Sequence, residues 1–191
     1  GYGTNCKTMF LFDGHPWGEL HGADGLAYSD LPNVQNTWET GWTVGQGQSI
    51  LTDYAGGDRA VALQRPPENP GCSACHVGPP ANLDINEAVL QGQGEAFLAD
   101  LEALWPGVGA AASRQDGALR MHRGHWLVQS TSRGSYTCYK PGQFTSVAGL
   151  EGVATEGLRF AGEHVNSFYE WQGFMEGASL SGLDAAEGIL D

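Results

Sequence analysis

Two glycine-centred turns near the carboxyl end hold the residues best placed for chemistry. Leu158 to His164 (LRFAGEH) reads as a short apolar strand, 158–161, that stops at Gly162 and Glu163. Backbone N–H groups left bare there can meet a pyrophosphate. Trp171 to Ala178 (WQGFMEGA) then opens a helix running to Leu190, and the positive end of its dipole can face an electron-rich ring. Gly177, Ala178, Ser181, Gly182, Ala185 and Ala186 line much of one face of that helix with small side chains. A flat ligand or a second backbone can approach such a face closely, and tight packing of a helix on a sheet uses the same pattern. The strand-borne GxGxxG that usually accompanies a dinucleotide site is absent from the 191 residues.

A second cluster, Cys72, Cys75 and His76 (CSACH), has the spacing of a c-type haem attachment site, where two thiols bond the vinyl groups and the histidine becomes an axial ligand. Met121, His122 and His125 are then candidates for the sixth ligand. The surrounding stretch, 65–80, packs five prolines and two glycines into sixteen residues and reads as a loop. So short and proline-rich a segment cannot wrap a porphyrin alone, which favours a local disulfide or a thiol pair over haem, with metal binding as a third reading. Cys6 and Cys138 stand alone in strand-like segments and read as buried thiols.

The elements that must position these groups follow from pattern. Strand formers over 8–12, ending at Asp13, Gly14 and Pro16, predict a strand entering a turn. Two further strands are expected over 34–43 and 49–54, the second stopping at Gly56 and Gly57. Phe97, Leu98, Leu101, Leu104 and Trp105 recur at helical spacing before Pro106 and Gly107, so 95–105 reads as an amphipathic helix. Asn86 to Leu90 reads as a separate turn, cut off by Gly92 and Gly94. A strand is expected over 118–129 and a glycine-rich turn over 133–142.

Nine basic against twenty-two acidic residues give a net charge of -13, which argues against nucleic-acid binding because phosphates need clustered Lys and Arg. The apolar runs fall far short of the ~20 residues of a membrane helix. An initial glycine without a basic-then-apolar leader reads as a product of processing. Together with the cysteine pair it leans towards a periplasmic or secreted setting.

Taken together, these segments resemble the carboxyl-terminal half of the flavin-containing amine oxidases, the family of monoamine, polyamine and L-amino-acid oxidases. Gly3 to Lys7 (GTNCK), followed by an apolar strand and by Pro16 and Trp17, is similar to the family's substrate-domain strand. Trp126, ten residues before Tyr136, repeats its Trp-to-Tyr spacing. Phe160 to Glu163 with Gly173 to Gly177 match its flavin end. The resemblance implies an α+β fold: a mixed-sheet substrate domain with flanking helices over 1–145, in which 66–80 is an insertion loop, and over 146–191 the carboxyl-terminal strand and helix of a Rossmann-like FAD-binding domain. It further implies a larger partner chain carrying the GxGxxG fold, supplied as a fragment of one cleaved precursor or as a separate product, and hence a hetero-oligomer.

Site residues carry over position by position. Lys7 matches a lysine that holds a water against flavin N5; by residue type alone it reads as a strand-end lysine snorkelling to solvent. Tyr136 and Phe174 match the two rings flanking the substrate amine, although either ring alone reads as core packing. Gly173 can meet the substrate nitrogen through its backbone. Trp126, Ser135, Gly162, Glu163, Gly173, Phe174, Met175 and Ala178 match FAD contacts, and serine at 135 implies that FAD is held non-covalently. The implied reaction oxidises a carbon–nitrogen bond of an amine or amino acid to an imine, with reoxidation by oxygen and release of hydrogen peroxide. Were haem bound at Cys72 and Cys75, electrons would leave through it and the enzyme would be a dehydrogenase.

Overall fold

The computed structural model describes residues 2–41, 47–63, 87–128, 132–165 and 171–190. The chain divides into two compact units, Thr4–Arg133 and Gly1–Gly3 with Gly134–Asp191, called here the amino-terminal and carboxyl-terminal units.

The amino-terminal unit is built on a sheet of β1 (Cys6–Asp13), β2 (Ala27–Tyr28), β3 (Asn36–Glu39), β4 (Gln48–Ala55) and β7 (Met121–His125), in the order β2-β3-β4-β1-β7. Every pairing in it is antiparallel, where a mixed sheet was expected. Antiparallel strands can leave one face open and alternate accordingly, and β1 does: Cys6, Thr8, Phe10 and Phe12 are buried while Lys7, Met9 and Leu11 are half-buried. The buried face is closed by α1 (Pro16–His21) and α3 (Glu87–Leu104). Phe10 stacks on Phe97 at 4.2 Å and Phe12 meets Trp17 edge-on at 5.3 Å. α2 (Gly57–Ala62) covers a smaller cluster of Cys6, Ala55 and Ala60.

Three expectations for this unit change. α3 starts at Glu87, so the supposed earlier turn belongs to the helix and both glycines lie inside it. Gly94 is there for packing, since a Cβ would sit 2.7 Å from Met121 Sδ and 2.9 Å from Leu119 Cδ1. The strand expected over 118–129 is two, β6 (Ala118–Leu119) and β7; β6 forms a hairpin with β5 (Arg114–Gln115) through Asp116 and Gly117, both at positive φ. Trp126 lies in the turn after β7. The strand expected over 34–43 is β3, which starts two residues later and ends at Glu39.

The carboxyl-terminal unit contains α4 (Gln143–Val147) and α5 (Met175–Leu190). α5 matches the expected final helix. The strand expected over 158–161 does not form: Leu158 pairs only with Thr155 among the described residues, across a turn in which Glu156 and Gly157 both take positive φ. An extended segment becomes a strand when a neighbour supplies the ladder, and here the nearest backbone turns back on itself. Cys138 is exposed, not buried, because its segment is irregular. Among the described residues this unit buries only Gly3, Gly134, Gly177 and Ser181, while Leu150, Leu158, Leu183, Ile189 and Leu190 are exposed. No described helix is long and apolar enough to cross a membrane.

Candidate functional site

In the amino-terminal unit the site is a lysine set among rings. β1 pairs Lys7 with Tyr54 of β4 on one side and Gly124 of β7 on the other. Trp38, opposite Thr52, falls on the same sheet face by strand alternation. The Lys7 ammonium lies 5.7 Å from the ring centres of Trp38 and Tyr54 and 5.8 Å from that of Trp126. Trp38 and Tyr54 were not singled out from sequence. The signal was present in their alternate positions on flanking strands, but which strands flank β1 is a matter of topology. The Trp126 indole packs over Gly124, its nearest ring atom 3.6 Å from where a Cβ on the glycine would stand. Met9, Leu11, Ile50 and His122 continue the open face into a groove of about 750 Å³.

Behind Lys7 the buried face carries a polar network. Arg123 Nε donates to Thr8 Oγ1 at 2.9 Å and its Nη1 to Gln93 Oε1. Asp53, opposite Thr8, accepts from the Gln35 N–H at 3.0 Å. Burial pushes the Asp53 carboxyl up to about 6, against the pull of the Gln35 and Asn36 N–H groups and the Arg123 and Arg59 charges. The Cys6 thiol is likewise pushed up to about 11 by burial. His125 Nε2 lies 3.0 Å from the Ala60 carbonyl, an N–H donating there, and its Nδ1 is buried with no partner among the described residues. Burial, assisted by Arg123, lowers its pKa. This is a core histidine, while His122, three residues earlier in β7, is exposed. Cys72, Cys75 and His76 lie outside the described residues, and no group of three His, Cys, Asp or Glu among the described residues could hold a metal.

In the carboxyl-terminal unit Glu163 gathers the other expected residues. Its Oε1 accepts from the N–H and the hydroxyl of Thr137, each at 2.8 Å, and its Oε2 from the Gly173 N–H at 2.7 Å. Ser135 and Tyr136 are held by Gly3: the Ser135 N–H donates to the Gly3 carbonyl at 3.0 Å and the Gly3 N–H to the Tyr136 carbonyl at 2.7 Å. Gly162 is tied to α5 by its N–H, which donates to Ser181 Oγ at 2.9 Å. Sequence reading counted Ser181 only as a small residue, but its hydroxyl is the anchor. Gly173 has φ +86 and open space where a Cβ would be, so its backbone is approachable. Phe174 and Met175 are exposed at the start of α5, and Ala178 closes its first turn by donating to the Phe174 carbonyl at 3.3 Å.

The fold is similar to that of cyclohexylamine oxidase from Brevibacterium oxydans IH-35A, with a TM-score of 0.64 and 20% identity over 98% of this chain and 35% of that one. It is also similar to putrescine oxidase in a structure bound to putrescine, with a TM-score of 0.68 and 12% identity over 100% of this chain and 36% of that one. The chain thus spans little more than a third of the length of either protein. No curated protein sequence matches it significantly. The profile of the flavin containing amine oxidoreductases matches residues 1–190, nearly the whole chain, and the chain belongs to that family.

Proposed function

We propose that this chain is a subunit of an FAD-dependent oxidase of amines or L-amino acids, completed by a larger polypeptide that carries the dinucleotide-binding fold. The observation that carries the reading is Lys7, a cation on an open sheet face inside a ring of three aromatic side chains, in a chain of the flavin amine oxidoreductase family.

The residues present fit FAD. α5 leaves the N–H groups of its first turn without helical partners, next to a glycine at positive φ with no side chain in the way. That donor set suits an electron-rich ring edge or a phosphate. Bound FAD supplies two-electron oxidation of the substrate's carbon–nitrogen bond.

The chain's own residues prepare that chemistry. Lys7 positions a water by donating from its ammonium, and Trp126 flanks it. The rings of Tyr136 and Phe174 receive the amine, orienting it and shedding its water. Phenylalanine at 174 makes one wall of that cage apolar. The Gly173 N–H is taken by Glu163, and its carbonyl is the group that accepts from the substrate nitrogen. Ser135 offers a hydroxyl where a thioether would need a thiol, so FAD binds without a covalent link.

The larger polypeptide is supported by the missing GxGxxG motif and by the carboxyl-terminal unit, whose described large apolar side chains find no core of their own. Purification of the native assembly tests the whole reading. It is expected to be yellow, to lose FAD on denaturation in acid, and to release peroxide with some member of a panel of amines and amino acids. A colourless assembly refutes the proposal. A haem absorption band, with reduction of a cytochrome in place of peroxide, would assign the electrons to Cys72, Cys75 and His76.

A further inference from the structure

We propose that Tyr139 is a positioning residue for Gly173: its phenol holds the Gln172 side chain, and with it the turn whose carbonyl meets the substrate nitrogen. The inference rests on the role given to the Gly173 carbonyl above.

Trp171 to Phe174 is a tight turn, closed by the Phe174 N–H, which donates to the Trp171 carbonyl at 3.1 Å. Gln172 and Gly173 are its central residues, and Gly173 at φ +86 makes it type II. The turn leans on α5, where the Trp171 carbonyl oxygen lies 2.2 Å from the place a Cβ on Gly177 would take. It also sets the Trp171 ring edge-on to Phe174 at 6.2 Å. Glycine takes either sign of φ readily, so Gly173 does not select this turn by itself. Selection falls to the groups that grip the peptide between residues 172 and 173. The Gly173 N–H donates to Glu163 Oε2 at 2.7 Å, and the Gln172 side chain reaches Tyr139.

The grip on Gln172 is directional. Its NH2 donates to the Tyr139 hydroxyl oxygen at 2.9 Å and faces the His164 carbonyl at 3.5 Å. Tyr139 in turn donates to Glu151 Oε1, and Glu151 Oε2 accepts from the Gly149 N–H at 2.7 Å. A carboxylate only accepts, so the single phenol proton points at Glu151 and the oxygen's lone pairs are left to Gln172. Burial and the hydrogen bond to Glu151 raise the Tyr139 pKa, which keeps that proton in place. The Phe144 ring meets Tyr139 edge-on at 5.5 Å and orients the phenol. Tyr139 therefore joins the 144–151 segment to the residue before Gly173. Without its hydroxyl, Gln172 loses the shorter of its two side-chain contacts and the glycine beside it is freer to turn.

A double-mutant cycle of Tyr139→Phe and Gln172→Met in the native, flavin-loaded assembly tests the link. Phenylalanine keeps the ring and its contact with Phe144, methionine keeps the length of glutamine, and each removes one end of the hydrogen bond. At saturating FAD each variant is expected to raise KM for the amine about two- to tenfold, the weight of one neutral hydrogen bond, with kcat little changed. The double variant is expected to be no worse than either single one, because both break the same bond. Exchange of the Gly173 amide should quicken by a similar factor in all three. An additive double variant overturns the proposal. So does an unchanged KM in Tyr139→Phe, even with a lowered melting temperature, which would make the hydroxyl a brace for the fold alone. Gln172→Met probes the same bond from its far end should Tyr139→Phe fold poorly. A parent assembly that takes no flavin refutes the functional reading instead. The cycle is then read on Gly173 exchange, where an additive or absent effect overturns the link.

Discussion

Replacing Trp38 with leucine removes one of the three rings around the Lys7 ammonium and leaves Tyr54 at 5.7 Å and Trp126 at 5.8 Å. These separations sit near the ~6 Å limit at which a ring face attracts a cation, and Lys7 is half-buried, so the lost attraction should be about 0.5–1 kcal/mol. The substitution also removes apolar area and the tilted contact of Trp38 with Tyr54 at 5.9 Å. A double-mutant cycle with Lys7→Met separates the terms, because packing losses occur in both backgrounds and cancel while the ring–cation coupling does not. Methionine keeps most of the lysine stem and discards the charge. Urea unfolding of the four proteins should give a coupling of about 0.5–1 kcal/mol. With Trp38→Phe, which keeps a ring face, part of the coupling should remain. A coupling of zero, or one that Phe fails to preserve, would refute the idea that these rings hold the ammonium.

Other consequences concern the sheet and its helix. Folded Asp53 binds its proton more tightly than the unfolded chain does, at about 6 against an ordinary 3.8, so its stabilising contribution is complete below 3.8 and is lost as pH rises through 6. That separation corresponds to about 3 kcal/mol. Asp53→Asn, which retains an acceptor for Gln35, should flatten the fall in stability between pH 4 and 7; parallel unfolding profiles for the two proteins would contradict this. Gly94→Ala should destabilise by about 1–3 kcal/mol despite alanine's helix preference of ~1 kcal/mol, because its Cβ meets Met121 and Leu119. A thermal melt at or above that of the parent would count against the close approach. Leu101→Ala, fully buried under the sheet, should cost about 2–5 kcal/mol in urea unfolding. Glu95→Gln should change stability by less than about 1 kcal/mol despite the 2.6 Å pair with Arg114, because both side chains are exposed.

Much of this was legible in sequence wherever one local pattern decides the outcome. The alternation in β1 and the helical spacing of Phe97, Leu98 and Leu101 report burial on one face, and burial is what forms those elements. The pattern failed where a distant partner decides. Gly94 looks like a helix breaker until Met121 and Leu119 are seen pressing on the helix there, while Gly92 faces open space and no packing explains it. Leu158 to Ala161 has strand composition, yet Thr155 is the neighbour that Leu158 finds. The candidate site divides in the same way. Lys7, Trp126, Tyr136 and Phe174 stand out only by their match to the family's motifs, since by type alone the lysine reads as a surface residue and the Tyr136 and Phe174 rings as core packing, whereas Trp38, Tyr54 and Ser181 acquire a role only through register and contact.

That division has a physical origin in how strands hold side chains. Lys7 and Tyr54 are direct cross-strand partners, as are Thr8 and Asp53 one step along. Strand spacing of ~4.8 Å therefore sets the ring against the ammonium on one face and the carboxylate against the hydroxyl on the other. The Arg123 bonds to Thr8 and Gln93 then tie β7 to β1 and to α3 from behind, and β7 carries the turn that presents Trp126. An indole on that turn keeps its distance from Lys7 only while β7 keeps register with β1. Arg123 thus acts on Trp126 through the sheet, and loss of its guanidinium should loosen the front of the sheet from the back. Exchange at the β7 amides and indole fluorescence of Trp126 should change together in Arg123→Met, and a shift in one without the other would show that the two faces are independent.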